Sequence, residues 1–154
     1  MTQKEFKMNN MFLGKILAFL GILPFLLSLA LKLTGTSFYG ITPQWLFLSY
    51  AVVIASFISG IHWGIFLTQT CSRNLFIESN ITTLIAWFAL LINHKWSLIL
   101  TLLCFIYLLF IDHALFNSEN IPQWYWELRK KITAIVIFIH ILFIIILYTG
   151  SVYH

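Results

Sequence analysis

The sequence predicts an all-α, polytopic membrane protein: a compact bundle of five transmembrane helices, N-terminus in the cytoplasm and C-terminus outside. Three observations carry this. Of 154 residues, 60% are hydrophobic and only 9% are charged, too little charge to cover the surface of a soluble domain. Five apolar runs reach or approach the roughly 20 residues needed to cross a bilayer. Lys and Arg fall unevenly on the two sides those runs would define.

The first span covers about 11–33. Its basic start, apolar core and small residues Ser28 and Ala30 are also the marks of a signal peptide, but the stretch from Ile16 to Leu31 is long enough, with its flanks, to be an uncleaved first helix. Gly14, Gly21 and Ser28 recur every seven residues, with Ala18 on the same face, as a seam for helix packing. Pro24 is expected to kink this helix and free a carbonyl near mid-membrane.

The second span, about 45–68, carries "SFISGIHWGIF". Gly60 and Gly64 share one face as G-x-x-x-G, and His62 points some 160 to 200° away from them at about 100° per residue. The glycines are therefore expected to hold one neighbouring helix close while His62 faces another.

The third and fourth spans, about 77–93 and 96–111, are short and joined tightly through His94 and Lys95. Thr82, Ala86, Ala89 and Asn93 form one stripe, and Ser97, Thr101, Cys104 and Asp112 another. The fifth span is about 132–149, with a cytoplasmic interfacial loop and helix start over 112–131. Asn120 or Ile121 can precede a helix that has Pro122 in its first turn. That helix, run on to Thr149, would be about 42 Å long, more than a hydrocarbon core of about 30 Å, so its first turns belong at the inner interface.

Seven basic residues fall on one side (Lys4, Lys7, Lys15, Arg73 and Arg129 to Lys131) and two, Lys32 and Lys95, on the other. The basic side is read as cytoplasmic. No basic stripe is long enough for nucleic acid. Cys71 and Cys104 make no disulfide framework, and no paired Cys-x-x-Cys or His-Glu-x-x-His motif is present. No metal or other cofactor is expected.

Two groups of residues stand out. The first is a polar cluster of His62, Tyr107, Asp112 and Arg129 on the cytoplasmic half. Asp112, ending the fourth helix, is expected to pair with Arg129, which offsets the cost of an acid beside hydrocarbon. His62, about 9 Å deeper than Thr68, is expected to lie too deep for an easy bond to Asp112 and nearer in depth to Tyr107. The structural version is a neutral His62 bonded to Tyr107 or a carbonyl; the functional version is a water-bridged chain to Asp112. The second group is an interface platform of Trp124, Tyr125 and Trp126 at headgroup level, of residue types that dominate binding hot spots.

Several stretches combine into a resemblance. The first helix reads "ILAFLGILPFLLSLAL", the second ends "YAVVIASFISGIHWG", and the last loop reads "IPQWYWELRKKIT". Gly21, Pro24 and Phe25, then Gly60, His62, Trp63 and Gly64, then Pro122, Trp124, Tyr125, Leu128 and Arg129 match motifs of the domain of unknown function 3429 family, with Asp112 matching its acid at the end of the fourth helix. Ser59 departs from that pattern, standing where it has a Gly. The resemblance implies a multi-pass protein of the bacterial inner (plasma) membrane, or of the mitochondrial inner membrane if the source is eukaryotic. It supplies no activity. The leading functional expectation is a non-enzymatic interaction, assembly or accessory factor for a membrane complex, with membrane lipids and a membrane-protein partner or a second copy as its contacts. A small transporter, and an enzyme acting on lipid or quinone at the cytoplasmic face, are the alternatives.

Overall fold

A computed structural model describes residues 3–118 and 121–149. The side chains of Lys4 and Lys7, and all of Asn120 and His154, lie outside the described part. The chain runs α1 (Gln3–Leu20), α2 (Leu23–Thr34), α3 (Pro43–Thr68), α4 (Leu75–Ile92), α5 (Lys95–Ser118) and α6 (Gln123–Thr149). Five helices among the described residues are long and apolar enough to cross a membrane, with α1 and α2 counted together over Met8–Thr34. The chain reverses direction between successive spans, so α3 ends, α4 begins, α5 ends and α6 begins at one end of the bundle, here called the Asp112 end.

Local chemistry sets each boundary. The first span breaks at Gly21 and Ile22, and Pro24 sits in the first turn of α2, where its missing N–H costs nothing. The Gly21 carbonyl freed there accepts a hydrogen bond from the Tyr50 hydroxyl of α3 at 2.9 Å. Gly35, at φ 66°, caps α2 in the left-handed region that favours glycine. Thr42 caps α3 through its side chain, ahead of Pro43. Asn74 caps α4 in the same way, and Asn93 ends it at φ 43°. The tight hairpin between α4 and α5 thus turns on Asn93 and His94.

The core is built from single faces. Phe25, Phe47, Phe105 and Phe143 are buried together with the ring of His140, whose centroid is 4.5 Å from that of Phe47. The expected stripes on the hairpin are buried except at Asn93, which is exposed as the cap that ends α4: Thr82, Ala86 and Ala89 on α4, and Ser97, Thr101, Cys104 and Asp112 on α5, turn inward. On α3 the buried face is a different one from that expected. Leu48, Ala51, Ala55, Ser59 and His62 turn inward, while Gly60 and Gly64 are exposed. Nothing in the described chain lies within 4 Å of where a Cβ would stand at Gly60, Gly64 or Gly14. These three glycines therefore seat no neighbouring helix among the described residues. At Gly21 the approach is close: a Cβ would lie 3.3 Å from the Ala18 carbonyl oxygen and 3.7 Å from the Tyr50 hydroxyl.

Candidate functional site

Three helices bring their ionisable groups to one level. His62 lies six residues from the end of α3, Asp112 six from the end of α5, and Arg129 six from the start of α6. At 1.5 Å per residue each stands about 9 Å in from its helix end. Asp112 was expected at the end of a helix closing near residue 111. Because α5 continues to Ser118, Asp112 is instead more than a turn inside, level with His62.

The groups meet directly. His62 Nε2 is 2.9 Å from Asp112 Oδ1, and Arg129 Nε donates to Asp112 Oδ2 at 2.8 Å. Arg129 Nη2 reaches the same oxygen at 2.7 Å, an ion-pair contact that misses hydrogen-bond geometry. All three residues are buried. An ionised carboxylate only accepts, so the proton shared with Oδ1 belongs to His62 Nε2. The expectation that His62 lies too deep for Asp112 is corrected here.

Tyr107 is not part of this cluster. It is exposed and lies within hydrogen-bonding reach of Arg73 in the α3–α4 connection. The Arg73 guanidinium is held above its ordinary pKa by its hydrogen bond to Glu78, the largest cause, with smaller contributions from charge and from Tyr107, against burial. Tyr125, expected in the platform, joins the cluster in place of Tyr107. Its hydroxyl is buried one turn before Arg129 on α6 and has no hydrogen-bond partner among the described residues.

The platform does not form a joint exposed face. Trp126 is buried and stacks on Phe116 of α5, centroids 5.5 Å apart and planes at 19°. Lys130 lies over the Trp126 ring at 5.3 Å. Trp126 thus fastens the start of α6 to the end of α5. Trp124, Tyr125 and Arg129 instead line a cavity of about 410 Å³ between α1, α3 and α6.

Sequence reasoning missed a second polar layer. His140 Nε2 lies 3.3 Å from the Thr101 hydroxyl, and His140 is fully buried. Phe105, Leu108 and Val136, all buried, lie between this layer and the Asp112 level on α5 and α6. The register of Thr101 on its own stripe was legible; its pairing with His140 across two helices was not. No group of three His, Cys, Asp or Glu side chains that could hold a metal occurs among the described residues.

The family model described as "Protein of unknown function (DUF3429)" matches residues 12–145. The chain belongs to that family. No curated protein and no solved structure matches it.

Proposed function

We propose that this member of a family of unknown function is a non-enzymatic accessory protein of a membrane complex, held in the bacterial inner membrane or its mitochondrial counterpart. One observation carries the reading. Gly60 and Gly64 form a G-x-x-x-G on α3 that faces out of the bundle, with exposed Val53 and Phe57 along the same side. In lipid, apolar surface gives helices little drive to associate, and small residues that admit a close backbone approach supply the contact. No helix among the described residues uses that seam, which leaves it for a helix of a partner or of a second copy. The acid of the buried cluster supports the same reading: Asp112 is engaged by His62 and Arg129 together and ties three helices, which suits a rigid scaffold.

The seven-to-two division of basic residues supports a cytoplasmic N-terminus and an external C-terminus. The Asp112 end is then cytoplasmic. A reporter active only in the cytoplasm, fused after His154, should be silent; activity there overturns the topology.

Affinity purification of the full chain from native membranes in mild detergent should recover a stoichiometric membrane protein or a homo-oligomer. Gly60→Leu/Gly64→Leu should abolish that association and leave the monomer folded. Recovery of the same partner with the double variant overturns the assignment of the seam.

A further inference from the structure

An open recess of about 480 Å³ lies between α1 and the start of α6. Its walls combine Lys15 and Phe19 of α1 with Trp124, Glu127, Leu128 and Lys131 of α6. On each helix the lysine stands about one turn from an apolar side chain: Phe19 follows Lys15, and Leu128 precedes Lys131. The recess therefore has two basic groups and an apolar wall on both sides.

Helix length sets its depth. Residues 16–34 of the first span and 132–149 of the last each rise about 27–28 Å, close to a hydrocarbon core of about 30 Å. Lys15 and Lys131 stand just before those stretches, at the boundary between headgroups and hydrocarbon. Trp124, 36% exposed and in the first turn of α6, is the residue type that settles at headgroup level.

Charge at this level is unbalanced. Glu127, the acid lining the recess, is engaged by Lys130 at 2.7 Å. Lys15 and Lys131 make no ion pair among the described residues. Two ammonium groups from two helices thus converge on one recess whose carboxylate is already taken. Like charges repel, and an anion between them relieves the repulsion. Lysine serves such an anion as a point charge, a common way of holding phosphate.

We propose that this recess seats the phosphate of an anionic glycerophospholipid between Lys15 and Lys131, with the start of an acyl chain against Phe19 and Leu128. Such a lipid meets both halves of the site. A free inorganic anion would leave the apolar walls unused, and a zwitterionic headgroup would bring a further ammonium group beside the two lysines. Basic recesses between membrane helices at headgroup depth are places where anionic lipids settle. The recess involves neither Gly60 nor Gly64, so this inference and the accessory reading can fail independently.

The test places the full chain in vesicles of dibrominated phosphatidylcholine, which quench its indoles. Unbrominated dioleoyl phosphatidylglycerol or phosphatidylethanolamine is then titrated in. The recovery that disappears in Trp124→Phe reads occupancy of the recess. Phosphatidylglycerol should restore Trp124 fluorescence at a lower mole fraction than phosphatidylethanolamine. Lys15→Gln/Lys131→Gln should weaken that preference about threefold to fivefold for each lysine lost, with thermal unfolding unchanged. Lys32→Gln, at the opposite end of the first span, should keep it. Should the double variant fail to fold, the exposed Lys131→Gln decides alone. Equal recovery with the two lipids overturns the proposal, as does a preference that survives loss of the lysines. A double variant that keeps the lipid preference but releases a co-purified protein would assign the recess to an acidic protein segment and overturn the lipid.

Discussion

Replacing Asp112 by Leu removes the one acceptor that His62 and Arg129 share. The guanidinium is left charged and buried, its side chain 10% exposed, because Arg does not deprotonate in proteins. Breaking one side of such a buried pair costs about 3–5 kcal/mol, most of it the penalty of the stranded charge. His62 Nε2–H also loses its acceptor, worth about 1–3 kcal/mol, though the two costs overlap at one carboxylate and will not add fully. For a chain of this size 1 kcal/mol moves Tm by roughly 2–4 °C, so a fall of about 6–20 °C is expected. The assay is thermal unfolding in detergent followed by size-exclusion chromatography. Asp112→Leu/Arg129→Met removes both charges and should recover more than half of that loss, since an apolar pair of similar volume is often neutral in place of an ion pair. A double variant no more stable than the worse single variant would refute the reasoning, because the two groups would then not be coupled.

Other perturbations report on separate contacts. His62→Gln retains an N–H that can reach Asp112 and should unfold within a few degrees of the wild type, whereas His62→Leu should cost about 1–3 kcal/mol; equal Tm values for the two would remove the hydrogen bond from the account. Tyr50→Phe leaves the Gly21 carbonyl without its donor and should lower stability by about 1 kcal/mol in the same thermal assay. Trp126→Ala should cost about 3–5 kcal/mol and loosen the start of α6, read as faster proteolysis after Arg129 or Lys130. A loss below 1 kcal/mol would return Trp126 to the role of an interfacial anchor.

Much of the architecture was legible because hydrophobic length and helix period are local properties. The buried stripes of α4 and α5 follow from spacing alone, as does the break near Pro24. The face of α3 was not legible in the same way. Gly60 and Gly64 have the spacing of a packing seam, but the sequence does not say whether the partner helix lies in the same chain. Depth was misjudged for Asp112 because hydropathy falls at that residue, although the helix continues through His113 to Ser118. Once that end is moved, His62, Asp112 and Arg129 fall at one level by simple counting. Tyr107 and Tyr125 exchange roles for a reason that period explains: Tyr107 lies five residues from Asp112 on α5, on a different face, while Tyr125 is one turn from Arg129. The Tyr50–Gly21 and Thr101–His140 contacts depend on which helices are neighbours, which no single stretch encodes.

The central claim is that Asp112 joins His62 and Arg129 across three helices, and the His62 tautomer reads it most directly. Nitrogen NMR of histidine-labelled protein, with His62 assigned through His62→Gln, should show the proton on Nε2 and a bare Nδ1, with that preference lost in Asp112→Leu. A His62 that carries its proton on Nδ1 in the wild type, unchanged by Asp112→Leu, would contradict it.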